Sequence, residues 1–362
     1  MTDIRMVDLH GQYLRIKAEV DAAIQSVIDS AAFIQGKEVQ QFSSALSAYL
    51  GGAHVVTCAN GTDALQIAMM ALGLKPGDEV ILPVHTYVAT AEVIALLGLT
   101  PVFVDVDPST FNIDVNQVEK CITKKTRAVV PVHLYGQCAD MDPLMEIAGR
   151  YDLKVIEDAA QAIGAKYKGS FSGTIGHVGT TSFFPSKNLG CFGDGGAIIT
   201  KSAELAEEMR IIANHGQKKK YHHERIGINS RLDTIQAAVL NVKLKYLNEY
   251  ERKRNEVADY YDKHLSGVVI PVRSENSTHV FHQYTIKASR RDELKTYLHD
   301  NGIPTMIYYP VPLHRQNAYR QDKSFPVTER LSTEVLSLPI HTEMTEEQLE
   351  YICMVLRDFY RG

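Results

Sequence analysis

From about residue 12 to residue 50, apolar positions recur every three to four residues, which predicts a helical opening to the chain. The period then changes. Residues 53–74, AHVVTCANGTDALQIAMMALGL, run from a short β-branched segment through a polar, glycine-containing turn into an amphipathic helix. GDEVILPVHTYVATAEVIALLGL repeats the plan, and so does TRAVVPVHLYGQCADMDPLMEIAGRY. LKVIEDAAQAIGA adds a further short apolar strand that ends in acidic residues. Strands alternating with helices predict an α/β fold with a mostly parallel central sheet flanked by helices.

From about residue 245 the texture shifts. NVKLKYLNEYERKRNEVADYYDKHL reads as one long charged helix, followed by a strand-like run, VFHQYTIKAS, and helices around 291–301 and 345–360. The expected organisation is a large domain over 1–245, with an N-terminal helical arm, and a smaller C-terminal α+β domain over 246–362.

In open α/β sheets, ligands bind beyond the carboxyl ends of the strands. Five strand ends therefore matter: Asn60-Gly61-Thr62, His85-Thr86-Tyr87, Tyr135-Gly136-Gln137, Asp158 to Gln161, and Ser182 to Lys187. Gly61 lets backbone approach closely, and Thr62 sits at or near a helix N-cap, where free N–H groups suit a phosphate. Ordinary capping explains that turn equally simply. Asp158 suits a protonated ring nitrogen, or else caps the next helix. Tyr87 offers a flat face to a heteroaromatic ring, although a tyrosine there is more often core. Ser182 supplies a hydroxyl. Lys187 follows an aromatic apolar strand, SFFPSK, and a desolvated lysine loses its charge and becomes a nucleophile. Together these groups match the needs of pyridoxal 5′-phosphate: a phosphate cradle, a ring face, an acid for the pyridine nitrogen and an amine for the aldehyde.

That ordered set resembles the sugar aminotransferases of the DegT/DnrJ/EryC1/StrS family. The likeness runs from VDLHGQY through the NGT, HTY, EDAAQ and SFFPSK motifs and GINSRLDTIQAA to YYPVPLHRQ. It implies the aspartate-aminotransferase fold, the fold type I of pyridoxal-phosphate enzymes. Lys187 would carry the cofactor covalently, Asp158 would pair with the ring nitrogen, Gln161 would bond the ring hydroxyl, and Tyr87 would stack on the ring. Gly61, Thr62 and Ser182 would hold the phosphate. Asn229, in GINSRLD, would complete the phosphate site of a neighbouring subunit in a homodimer with shared active sites. The amino donor would be L-glutamate. Arg231 is the candidate reader of a substrate carboxylate, and an interface ion pair is its other reading. Tyr309 and His314, in YYPVPLHRQ, would touch the sugar nucleotide, and Tyr308 stands where close relatives often have histidine.

HGQKKKYHHERIGINSRLD and CANGTDALQIAMMALG look most like the enzymes that aminate C3 of a UDP-linked 2-acetamido-3-oxo-hexuronic acid, a step toward the diaminouronic acids of lipopolysaccharide. A dTDP- or GDP-linked 3- or 4-keto-6-deoxyhexose is the alternative acceptor. A non-catalytic regulator that binds cofactor or sugar nucleotide is more remote, and so is a dehydratase branch with histidine in place of Lys187. The run KKKYHHER could meet a diphosphate or simply be a solvated face.

Bulk composition changes little. With 362 residues, 45% apolar and 22% charged, and a net charge of −5, the chain gives no basic footprint for nucleic acid. Its start has no apolar segment behind a basic end, and no run is long enough for a membrane span, so a cytoplasmic setting without membrane partners is expected. Five scattered cysteines without CxxC spacing predict neither a disulfide framework nor a metal site.

Overall fold

The computed structural model describes residues 4–361, so the outermost residues of both expected domains, 1–3 and 362, lie outside it. Seven strands form the central sheet: β1 (His54–Cys58), β2 (Glu79–Pro83), β3 (Thr100–Val104), β4 (Thr126–Val129), β5 (Lys154–Asp158), β6 (Val178–Ser182) and β7 (Gly196–Thr200). Their spatial order is β1-β7-β6-β5-β4-β2-β3. From β3 to β6 every neighbour is parallel, whereas β7 runs antiparallel to both β6 and β1. The mostly parallel sheet is as expected.

Helices cover both faces because successive strand residues point to opposite sides and both sides are apolar. Val56, Val80, Leu82, Phe103, Ala128, Ile156 and Ile198 face α3 (Gly61–Ala71), α4 (Ala89–Leu96) and α6 (Ala203–Ala213). Their alternating neighbours Ile81, Val104, Val129 and Val155 pack toward α5 (Met141–Tyr151). At the β1–β7 end, Val55, Ala197 and Ile199 meet α2 (Lys37–Tyr49) and α7 (Thr234–Leu244). Helix α3 is buried through most of its length, with Ala64, Leu65, Ile67, Ala68 and Met69 enclosed. A helix apolar on nearly all sides belongs between other elements, and this placement fixes the direction of its N-terminus.

The helical opening, as expected, comprises α1 (Leu9–Ser30) and α2, with α1 packed on α7 through Ile16, Val20, Val239 and Val242. The single helix expected over NVKLKYLNEYERKRNEVADYYDKHL is two, α7 and α8 (Leu247–His264). They break because they serve different cores. Val257, Ala258 and Tyr261 of α8 join β8 (Tyr284–Lys287), α9 (Arg291–Asp300), β9 (Val335–Leu338) and α11 (Glu346–Arg361) around a second apolar cluster. Strand β9 and the helix before it, α10 (Pro326–Glu334), were not expected from sequence.

One tie links this second layer to the sheet. Helix α10 has no side-chain cap of its own. Its free N–H groups instead meet Asp105, just beyond β3, which accepts from Val327 N and Thr328 N at 2.9 Å each and from Thr328 Oγ1 at 2.7 Å. A carboxylate at a helix N-terminus satisfies both the unpaired donors and the helix dipole.

Candidate active site

Helix α3 begins beside the carboxyl end of β6. Asn60 is its cap: extended, it accepts Asp63 N–H on its side-chain oxygen at 2.8 Å. Thr62 is thus the second helical residue, not the cap. The backbone N–H groups of Gly61 and Thr62 have no acceptor among the described residues, as the first turn of a helix requires. Glycine is needed at 61 because a Cβ there would lie 2.8 Å from Ser182 Cβ. Ser182 Oγ accepts Phe184 N–H at 3.3 Å, which leaves its own hydrogen to donate. Two backbone donors, one hydroxyl and a helix dipole therefore converge, the chemistry a phosphate group needs. From behind, Ser230 (0% exposed) braces this turn by donating to Asp63 Oδ2 at 2.6 Å and accepting Ala59 N–H at 3.0 Å.

Asp158 ends β5 and is buried, with its carboxylate held by Thr90 Oγ1 at 2.8 Å and Ala160 N at 3.1 Å. The preceding Glu157 points the other way. Fully buried, it accepts N–H groups from Gly173, Ile175 and Gly176 and Nε2–H from His133, all within 2.6–2.8 Å. His133 Nδ1 accepts Ala139 N–H, so its Nε2 carries the proton and the ring is neutral. Glu157 thereby locks the strand end from which Asp158 projects.

Gln161 is oriented by Tyr135. Its Oε1 accepts Tyr135 N–H at 2.8 Å, and its Nε2 donates to Tyr309 Oη at 3.2 Å, with one N–H to spare. Tyr135 sits at φ 59° beside Gly136 at φ 110°, a turn whose glycine has backbone within 2.9 Å of where a Cβ would be. Its hydroxyl donates to Tyr308 O and accepts Nε2–H from His85, which burial pushes down to about 4 and keeps neutral. Burial also pushes the Tyr309 phenol well up, with the nearby charge of Asp158 adding to the rise. Tyr87 is 58% exposed, its ring centroid 6.1 Å from that of Tyr309, so its face is open to a ring entering the cleft.

Lys187 follows β6 in a turn that requires Gly190, where a Cβ would fall 2.3 Å from Pro185 O. Desolvation lowers its amine to about 8, and the nearby Asp158 charge only partly opposes that. Much of the amine population is therefore unprotonated near pH 8, as a nucleophile requires. Stability should report this. Unfolded, a lysine holds its proton to about 10.5, so a folded value near 8 destabilises the cofactor-free protein fully below pH 8, and the deficit fades as pH rises to 10.5. A Lys187→Met variant without cofactor should gain about 2–3 kcal/mol over wild type at pH 7. The gain should shrink to under about 1 kcal/mol by pH 10 in urea unfolding, and a pH-independent difference would refute the depressed amine.

Three expected site residues lie elsewhere in the chain. Asn229 is exposed, bridged to Asn214. Arg231 lines a separate groove with Gln35, Arg210 and Lys218 at the β1 edge. Both flank Ser230, so they leave the back of the cradle instead of entering the Lys187 cleft. His314 is fully buried, its Nε2 2.9 Å from Glu329 Oε1 and its ring against Phe325. No sugar nucleotide can reach it there. The KKKYHHER run forms an exposed hairpin, Gln217–Lys219 with His222–His223. Sequence reasoning missed Thr90, Glu157, His133 and Ser230, and offered no local signal for any of them. It did flag the turns carrying His85 and Tyr135.

A family of known enzymes accounts for this arrangement. The chain matches the DegT/DnrJ/EryC1/StrS aminotransferase family over residues 14–357. It is 48% identical to the UDP-2-acetamido-2-deoxy-3-oxo-D-glucuronate aminotransferase of Pseudomonas aeruginosa, covering 98% of this chain and 99% of that one. It is 44% identical to the UDP-N-acetyl-3-dehydro-alpha-D-glucosamine 3-aminotransferase of Acidithiobacillus ferrooxidans, covering 100% and 99%. Among solved structures, DesV from S. venezuelae in complex with a ketimine intermediate superposes with a TM-score of 0.97 at 42% identity, over the whole of both chains. The cleft built by Gly61, Thr62, Asp158, Gln161, Ser182 and Lys187 fits the cofactor of such enzymes group by group. The chain belongs to the DegT/DnrJ/EryC1/StrS aminotransferase family and is a pyridoxal-phosphate-dependent transaminase of the aspartate-aminotransferase fold.

Proposed function

We propose that this transaminase moves the amino group of L-glutamate to C3 of a UDP-linked 2-acetamido-3-oxo-hexuronic acid, in the making of a lipopolysaccharide sugar. The observation that carries the substrate is the end-to-end likeness to the P. aeruginosa glucuronate enzyme. The roles rest on the convergence of strand ends around Lys187. Bound there, pyridoxal 5′-phosphate supplies the aldehyde that takes the amine and the ring that withdraws electrons. Lys187 holds the cofactor at rest, then removes and returns the substrate proton as a neutral amine. Asp158 keeps the ring nitrogen protonated, Gln161 donates its spare N–H to the ring oxygen, and Tyr87 covers the ring face. Gly61, Thr62 and Ser182 hold the phosphate, and Tyr309 lines the wall where the sugar enters. His314 is assigned no contact.

Asn229 and Arg231 point away from their own cleft, so we assign them to the site of a second copy, with Arg231 reading the carboxylate of glutamate and then of the uronate. Subunit mixing tests this. Lys187→Ala and Asn229→Ala proteins, each inactive alone, should on mixing recover about a quarter of wild-type turnover, because half the dimers then hold one intact site. No recovery in verified mixed dimers would refute the shared site.

A second reading, a dTDP-linked keto-deoxyhexose acceptor, is supported by 43% identity to the dTDP-3-amino-3,4,6-trideoxy-alpha-D-glucose transaminase of Streptomyces venezuelae. Incubation with glutamate and a panel of nucleotide keto sugars, read by mass spectrometry, separates the two. Amination of dTDP sugars but not of the UDP-3-keto-uronate would overturn our assignment.

A further inference from the structure

Asp158 reaches the cleft with both carboxylate oxygens already engaged from different elements. Oδ1 accepts Ala160 N–H from its own loop, and Oδ2 accepts Thr90 Oγ1–H from α4. Thr90 is 0% exposed, and its hydroxyl makes no other hydrogen bond among the described residues. A helical threonine ordinarily turns its hydroxyl back to a carbonyl of the preceding turn. Here it turns across the sheet to a residue 68 positions away. Rotating the Asp158 carboxyl group would break two hydrogen bonds at once and strand a buried hydroxyl, which costs more than the bond itself is worth. A carboxylate offers about four acceptor directions, so with one taken on each oxygen the remaining lone pairs are fixed in direction.

We infer that Thr90 is a positioning residue for the cofactor: its hydroxyl sets the rotation of the Asp158 carboxylate, so that a free lone pair is aimed at the ring nitrogen. This rests on the role proposed above for Asp158. The charge of Asp158 is felt by Lys187 and Tyr309, and neither holds the carboxylate by a hydrogen bond. Apart from the backbone N–H of Ala160, Thr90 is thus the one donor to this carboxylate among the described residues. Threonine suits the task because its branched side chain has few rotamers to lose.

The test is a double-mutant cycle on Thr90→Val, Asp158→Asn and the combined variant, with Thr90→Ser as rescue. Two properties are read: the dissociation constant of pyridoxal 5′-phosphate, and the visible circular dichroism of the bound cofactor, which senses its orientation. Thr90→Val should weaken cofactor binding about tenfold and diminish the visible dichroism, as expected for losing a hydrogen bond to a charged group. Thr90→Ser should stay within about twofold of wild type on both readouts, since it keeps the donor. In the Asp158→Asn background, Thr90→Val should add less than about twofold, because its effect passes through Asp158. The inference is overturned if Thr90→Val leaves both readouts unchanged while Asp158→Asn alters them, or if its effect is as large without Asp158. It also fails if Thr90→Ser behaves like Thr90→Val. If Asp158→Asn itself changes neither readout, the assignment of Asp158 falls and this inference falls with it.

Discussion

Lys187→Ala should lose transamination by about 10⁴-fold or more, since one side chain serves as both covalent anchor and proton carrier. The fold should survive, because the variant deletes an amine that burial already disfavours. Far-ultraviolet circular dichroism should match wild type, while steady-state turnover with glutamate falls to background. Asp158, Gln161, Thr90 and Tyr135 remain in place, so pyridoxal phosphate should still bind, now released by gel filtration without any covalent step. Turnover within tenfold of wild type would refute the assignment of Lys187, whatever else in the cleft holds.

Gly196→Ala should place a damaging methyl group directly against the turn that opens α3. Gly196 lies in register with Cys58 of β1 on one side and Ser182 of β6 on the other. A Cβ there would fall 2.4 Å from the backbone C and O of Asn60 and 2.9 Å from Gly61 N. Backbone cannot swing aside as a side chain can, so the turn that opens α3 must shift. The expected result is a loss of about 3 kcal/mol in urea unfolding of the cofactor-free protein. Cofactor affinity should fall at least about tenfold, since a shift of the donors by a few tenths of an ångström weakens each hydrogen bond. Gly149→Ala is the control of opposite sign. Gly149 lies on the exposed side of α5 with nothing within 4 Å of the added methyl, and the change should stabilise by about 0.5–1 kcal/mol. A Gly196→Ala protein as stable and as cofactor-tight as wild type would show that the cradle turn is not fixed by this contact.

Much of the sheet was legible because a parallel strand buried on both faces writes a continuous apolar run, and the helix after it writes its own period. The strand ends were legible for the same reason: Asn60, Tyr87, Asp158 and Ser182 stand where such runs stop. What could not be read is whatever depends on partners distant in sequence. Thr90 looks like any threonine early in a helix until β5 is placed beside α4. His314 has the residue type of a ligand contact, but Glu329 and Phe325 draw it inward. Asn229 and Arg231 could be named from the motif around them, yet only the coordinates place them behind their own cradle, on either side of Ser230. The break between α7 and α8 escaped because both helices are locally favourable, and only the two separate cores they feed require it.

The segment from Tyr308 to α10 is moored at both ends. Tyr135 grips it at Tyr308 O, and Asp105 grips it at the start of α10. Between those posts the chain carries YYPVPLHRQ, whose Tyr309 meets Gln161 and Tyr87 at the wall of the cleft. The wall is thereby pinned to the same sheet from which Lys187 projects. The exposed positions between the moorings, Pro310, Val311, Arg315 and Gln316, are thus the ones open to exchange, while the buried Leu313 and His314 hold the segment in place. Redesign of the acceptor would begin at those exposed positions, with Leu313 and His314 kept.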